Sequence, residues 1–204
     1  MDESRPTDRA RRVPRPIDGA RLNELALAYV ARFATSSGKL ADYLKRKLRE
    51  RGWEGRDDGS APPDIAAIVE RMVAAGYVDD AVYARAKGGG LLRRGYGERR
   101  IAQALGAAGI AEPDRAGATG DAAERRSAAL HMARKRGFGP FARGPFTGGS
   151  RGAELPDPAQ RQKQVMAMLR AGHPLESARK LVDAASIEAA ELWAGEAQEG
   201  DADE

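Results

Sequence analysis

The chain has 204 residues, enough for a folded core with extensions and too few for several large domains. Hydrophobic residues make up 42% of it, many of them alanine, and aromatics only 5%, which predicts a thin core. It has no cysteine, which excludes disulfides, thiolate catalysis and Cys-based zinc sites, and its net charge of +4 favours an acidic partner such as nucleic acid.

Residues 1–20 carry Arg5, Arg9, Arg11, Arg12 and Arg15 among Pro6, Pro14 and Pro16, a composition that predicts a disordered basic tail. This start lacks the apolar segment of a secretory signal, and no apolar run approaches the length of a membrane span, so a cytoplasmic, membrane-free protein is expected. From residue 21 the pattern turns helical. Leu22, Leu25, Ala26, Tyr29, Val30 and Phe33 recur at helical spacing and predict an amphipathic helix over 21–34. Thr35, Ser36 and Ser37 offer hydroxyl caps to a second helix with the stripe Leu40, Tyr43, Leu44 and Leu48, which Gly52 stops. After a polar loop, Pro62-Pro63-Asp64 opens a third helix bearing Ile65, Ile68, Val69, Met72 and Val73 on one face, closed by Gly76. Helices this short cannot bury their stripes alone, so residues 21–78 are expected to form one module.

Residues 79–137 form a second expected module. Asp79 and Asp80 cap a helix over 80–92, the turn Arg94-Gly95-Tyr96-Gly97 follows, and Ile101 and Leu105 lie one turn apart on the next helix. The triplet Gly88-Gly89-Gly90 falls inside the first of these helices and predicts fraying or an early end, since each glycine costs about 0.5–1 kcal/mol relative to alanine. Residues 138–157 repeat Gly-Pro-Phe twice and read as a flexible linker whose Phe138, Phe141 and Phe146 pack locally. Residues 158–195 form a third module, with a helix over 158–171 that turns Val165, Met168 and Leu169 inward and a short last helix near 187–195 holding Leu192 and Trp193. Residues 196–204 are an acidic tail.

One pattern recurs in the three modules. Ser36, Gly97 and Pro174 are each followed by apolar residues at the fourth and eighth positions: Leu40 and Leu44, Ile101 and Leu105, Ala178 and Val182. The expected fold is therefore all-α, with tandem three-helix repeats in three modules forming an elongated, curved array with disordered tails.

Enzyme signatures fail. His131 and His173 are the only histidines and lack further nitrogen or sulfur ligands at metal-binding spacing, so both are expected at the surface. Asp79 and Asp80, adjacent on a helix, point about 100° apart and suit capping better than metal binding. Ser37-Gly38-Lys39 lacks the earlier glycine and the strand of a phosphate loop, and Gly95-Tyr96-Gly97 lacks the third glycine of a dinucleotide fingerprint. What remains is a basic face. Lys45, Arg46 and Arg49 project opposite Leu40, Leu44 and Leu48; Arg99 and Arg100 lie away from Ile101 and Leu105; Arg179 and Lys180 take similar places in the third module; and Arg93 and Arg94 lead into the middle turn.

The stretch Gly76-Tyr77-Val78-Asp79-Asp80, Tyr83-Ala84, Arg94-Gly95-Tyr96-Gly97, Arg100-Ile101, Leu105 and Gly109-Ile110 resembles the RecX family of bacterial recombination regulators. The resemblance is strong from Gly76 to Ile110 and weaker towards both ends. It implies three repeats of three helices, no catalysed reaction, no cofactor, and a protein that binds the recombinase RecA or its filament on DNA and inhibits strand exchange, ATP hydrolysis and co-protease activity; a monomer is expected. The expected contact residues are Lys45, Arg46, Arg49, Arg93, Arg94, Tyr96, Arg99 and Arg100. A sequence-tolerant DNA-binding protein that acts without RecA is the alternative, because helices joined by glycine turns and an Arg-rich tail also suit phosphate contacts.

Overall fold

The computed structural model describes residues 15–142 and 157–199. Among these residues the secondary structure is helical, and the one β-type contact is an isolated parallel bridge between Ile17 and Trp53. The chain divides at Val78 and Asp79 into two compact units.

The first unit holds α1 (Gly19–Val30), α2 (Ser37–Arg51) and α3 (Ile65–Ala74). Each begins where a short polar side chain accepts from a free backbone N–H: Asp18 from Arg21, Ser36 from Lys39 and Asp64 from Ala67. Their stripes meet in a core of Ile17, Leu22, Ala26, Leu40, Leu44, Ile68, Met72 and Val78. Burying a leucine such as Leu22, Leu40 or Leu44 contributes about 1.5–3 kcal/mol. The chain ahead of α1 is tied in as well, because the Ile17 N–H donates to the Gly52 carbonyl at 3.0 Å and the Ile17 carbonyl accepts from Glu54 at 3.1 Å. Two residues of the expected stripes lie elsewhere. Helix α1 ends before Phe33, which is 54% exposed and leans on Tyr29, and Val73 is turned out of the core that Met72 enters.

The second unit contains α4 (Asp80–Leu92), α5 (Glu98–Gly106), α6 (Glu112–Ala116), α7 (Ala122–Arg136), a 3-10 turn at Gly139–Phe141, α8 (Pro158–Arg170), α9 (Leu175–Val182) and α10 (Ile187–Glu199). It has two cores. One gathers Ala84, Leu91, Leu92, Ile101, Leu105, Ala108, Ile110, Ala118 and Ala128; the other gathers Ala129, Met132, Ala133, Val165, Met168, Ala171, Ala178, Leu181, Val182 and Ala190. Helix α7 serves both, with Ala128 in the first and Ala129, Met132 and Ala133 in the second. Its alanines give close helix contact with little area each, and ion pairs such as Arg134–Glu191 and Arg126–Glu196 fasten it to α10.

Three local expectations change. Helix α4 runs unbroken through the glycine triplet, because Gly88 lies against the backbone carbonyl of Ala118 where a side chain has no room. A Cβ there would stand 2.0 Å from the Ala118 oxygen. Within the expected linker, Phe138 and Phe141 pack on the second core, and the Gly139 N–H donates at 2.9 Å to the buried side chain of Gln164. Phe146 and residues 143–156 lie outside the described residues, as do residues 1–14 and 200–204. Helix α10 is longer than expected and reaches Glu199, with Leu192 67% exposed and Trp193 half-buried under the Arg126 guanidinium.

Candidate partner-binding surface

The expected contact residues fall in two groups, one in each unit. In the first unit, Lys45, Arg46 and Arg49 lie exposed on α2, on the side away from buried Leu40 and Leu44. Their availability differs. Arg46 lies 5.6 Å from the Tyr43 ring centre and 3.7 Å from Glu50, whose carboxyl is held below its usual range mainly by a hydrogen bond from Lys47. Lys45 and Arg49 form no ion pair among the described residues, so their charge faces solvent undiminished. Tyr43, packed at the edge of the core beside Arg46, also stacks on Tyr29 with ring centres 4.2 Å apart.

In the second unit, Arg93, Arg94, Tyr96, Arg99 and Arg100 surround the turn from α4 to α5, and all five are exposed. The turn arises because α4 ends in a 3-10-like reversal, with Arg94 and Gly95 donating to the Leu91 and Leu92 carbonyls. Gly95 takes a left-handed backbone angle that only glycine adopts freely. Arg94 Nε donates to the Gly90 carbonyl at 3.0 Å, and an Arg100 guanidinium N–H donates to Gln103 Oε1 at 2.8 Å, so both side chains are steered without losing their charge. Arg93 and Arg99 make no ion pair among the described residues. By contrast, Arg125, Arg126, Arg134 and Arg161 are each paired with a carboxylate and serve the fold.

The turn is mounted on a second one. The Gly97 N–H donates to the Ala171 carbonyl at 2.9 Å, the Arg99 N–H to the Gly172 carbonyl at 3.3 Å, and His173 Nε2 meets the Gly95 carbonyl at 3.0 Å. Helix α5 has no side-chain cap of its own, because Gly97 occupies the N-cap; the carbonyl of Gly172 does that work from the α8–α9 turn. The two glycines touch backbone to backbone, and a Cβ on Gly97 would lie 2.4 Å from the Gly172 carbonyl carbon. His173, expected at the surface, is 1% exposed. It is buried because the α8–α9 turn inserts beneath the α4–α5 turn, and nothing in its flanking Gly172 and Pro174 signals that pairing. Arg170, exposed at the end of α8 and one residue before Ala171, is a further cation beside this turn that the helical pattern did not single out. Arg179 and Lys180, on α9, line a groove of about 710 Å³ between α9 and α10 together with Leu175 and Trp193.

No cluster of three or more His, Asp or Glu side chains able to hold a metal ion occurs among the described residues, and no described helix is long and apolar enough to cross a membrane. The chemistry that each of these faces offers is charge-assisted hydrogen bonding to carboxylates or phosphates, and in the second unit Tyr96 adds an apolar contact beside its arginines.

No family model matches the sequence. A relative from Myxococcus xanthus (strain DK1622), named Regulatory protein RecX, is 31% identical over 192 residues, covering 90% of this chain and 98% of that protein. The chain belongs to the RecX family. Two solved structures agree with this in fold. The crystal structure of RecX from Lactobacillus salivarius superposes with a TM-score of 0.54 at 15% identity, covering 80% of this chain and 93% of that one. A second, the crystal structure of regulatory protein RecX, superposes with a TM-score of 0.58 at 18% identity and covers 81% of this chain and 71% of that one. The α4–α5 turn thus sits in an all-helical RecX fold, in a protein whose relative is a regulator.

Proposed function

We propose that this RecX-family protein binds RecA assembled on DNA and restrains it, lowering strand exchange, ATP hydrolysis and co-protease activity, and so acts in recombination, DNA repair and the SOS response without catalysing a reaction or using a cofactor. The observation that carries the proposal is the α4–α5 turn, where Arg93, Arg94, Arg99 and Arg100 ring Tyr96 on a backbone fixed by hydrogen bonds from a neighbouring turn. Cations held in place lose less entropy on binding than cations on a free loop. Lys45, Arg46 and Arg49 form a second contact in the other unit. Two modest contacts on one chain reinforce each other, since the second binds at the effective concentration set by the first, a gain of order 10²–10⁴ in affinity.

The test uses RecA on single-stranded DNA and measures ATP hydrolysis and filament length as the purified protein is added. Inhibition by the wild type, lost when Arg94, Arg99 and Arg100 are changed together to Glu while helicity persists, supports the proposal. Unchanged inhibition removes these residues from the interface. Direct DNA binding is the rival outcome: it would occur without RecA, and its affinity would fall with salt at a log–log slope near 0.9 per phosphate contacted on duplex.

A further inference from the structure

The contact turn is held from two sides: within its own module Arg94, Gly95 and Tyr96 donate to the Leu91 and Leu92 carbonyls and Arg125 pairs with Glu98, and the α8–α9 turn holds it from outside. Three hydrogen bonds join it to the α8–α9 turn, and two of them run from backbone to backbone, where no side-chain change removes them. The third is made by His173. The Gly95 carbonyl can only accept, so Nε2 carries the proton and donates to it. That contact lies in a fully enclosed place: Gly95, Gly97, Ala171, Gly172 and His173 are all buried, whereas Arg94, Tyr96, Arg99 and Arg100 around them are exposed. The arrangement is therefore a buried polar mount beneath an exposed charged turn.

We infer that His173 is a positioning residue for partner binding: by donating to the Gly95 carbonyl it locks the α8–α9 turn under the α4–α5 turn, so that Gly172 caps α5 and Arg94, Tyr96, Arg99 and Arg100 are presented as one fixed surface. The inference rests on the proposed contact role of that turn. Among the described residues the imidazole is the side chain that hydrogen-bonds from the α8–α9 turn to the α4–α5 turn, and its bond adds to the two backbone bonds that bring Gly97 against Gly172. With the imidazole removed, the Gly95 carbonyl loses its donor inside a closed site, where an unmet polar group is costly, and the two turns separate in a larger fraction of molecules. The Arg99 N–H then loses its Gly172 acceptor, and the first turn of α5 loosens with the guanidiniums it carries. Tight partner binding needs the docked state, so apparent affinity falls with the docked fraction.

Two readouts separate this from a general packing role. Hydrogen–deuterium exchange of the amides from Gly97 to Ile101 reports the mount without any partner, and inhibition of RecA ATP hydrolysis reports the surface. In His173→Leu, which fills the space but donates nothing, exchange at these amides is expected to rise about tenfold and inhibition to weaken by a similar factor, while exchange in α1–α3 and in α10 stays as in the wild type. In His173→Gln, whose amide nitrogen reaches the position of Nε2, both values are expected to return towards wild type. Should Leu raise exchange throughout the second unit, His173→Asn is read in its place, because its amide nitrogen falls short of Nε2 and it should behave as Leu was expected to. Slow exchange at Gly97–Ile101 in both Leu and Asn variants overturns the inference. So does faster exchange with undiminished inhibition, which would mean that turn order is not used in binding. A wild type that inhibits nothing overturns the functional reading itself, and that arm is measured separately from the variants.

Discussion

The three consecutive glycines of α4 look interchangeable in the sequence, and the structure gives them opposite responses to the same change. Gly→Ala inside a helix ordinarily stabilises by up to about 1 kcal/mol, through better helix propensity and a less flexible unfolded chain. At Gly89 the nearest obstacle to a new Cβ is the Arg93 guanidinium at 3.4 Å, and at Gly90 it is the same group at 4.0 Å; both are ends of a mobile side chain. Gly89→Ala and Gly90→Ala are each expected to stabilise by about 0.5–1 kcal/mol. At Gly88 the Cβ would fall 2.0 Å from the Ala118 carbonyl oxygen, which requires α4 and the Ala118 backbone to part by more than about 1 Å. That backbone cannot move freely, because Ala118 is buried, its N–H donates to the Arg115 carbonyl, and the Thr119 hydroxyl donates to Ala116. Overpacking of this kind costs about 1–3 kcal/mol, enough to outweigh the propensity gain and leave Gly88→Ala destabilised by about 1–2 kcal/mol. The gap between Gly88→Ala and Gly89→Ala should then reach roughly 2–3 kcal/mol, a difference in Tm on the order of 10 °C for a unit of this size. The chain has two tryptophans, Trp53 in the first unit and Trp193 in the second, so a Trp53→Phe background makes fluorescence report the second unit alone. Urea and thermal unfolding of the three variants in that background give the comparison directly. If Gly88→Ala proves as stable as Gly89→Ala, the close packing of α4 on the Ala118 backbone is wrong.

Gln164 is buried and its side-chain oxygen accepts from the Gly139 N–H. Gln164→Leu leaves that N–H unmet, so the second unit should lose about 1–3 kcal/mol and Phe138–Phe141 should become a site of early proteolysis; stable, resistant Gln164→Leu would show that the 3-10 turn is held by its phenylalanines alone. His173 is pushed below its ordinary pKa of 6.5 by burial, an effect that its bond to Gly95 partly offsets. Its folded pKa therefore lies below its unfolded one. The unfolded chain takes up the proton first, so this group's contribution is complete above about pH 6.5 and shrinks as the pH falls from there towards the folded pKa, with a slope of at most about 1.4 kcal/mol per pH unit. Urea midpoints of the second unit between pH 8 and pH 5 should fall on acidification, and His173→Gln should flatten that fall; parallel curves for the two proteins would remove His173 as the cause.

Helix existence was legible wherever a cap and a stripe coincided. Ser36 with Leu40 and Leu44, and Asp64 with Ile68 and Met72, each combined a helix start with apolar residues one turn apart, and Asp79 marked the start of the next helix by its capping side chain; the structure puts those caps and stripes where they were expected. Helix α7 was harder to read because its buried stripe is largely alanine, Ala128, Ala129 and Ala133 beside Met132, which differs little in hydrophobicity from a solvated face. Helix α6, with five residues and none buried, has no stripe to read. The exposed positions of Lys45, Arg46, Arg49, Arg99 and Arg100 followed from helical periodicity, because they lie off the buried stripes of α2 and α5, whereas Arg93, Arg94 and Tyr96 lie in the turn between helices, where periodicity says nothing and the structure decides their exposure.

By itself, then, the sequence determined an all-helical chain without cysteine chemistry, the caps and stripes of its main helices, and the motif from Gly76 to Ile110 that places it in its family. All of these depend on interactions between residues a few positions apart, which periodicity and side-chain chemistry encode. Only the tertiary structure decided that Gly88 meets Ala118, that Gly139 meets Gln164, and that the α8–α9 turn caps α5 while His173 goes under Gly95. Those contacts join residues far apart in the chain through backbone groups, and a backbone carbonyl is the same at every position, so no residue type marks it in advance.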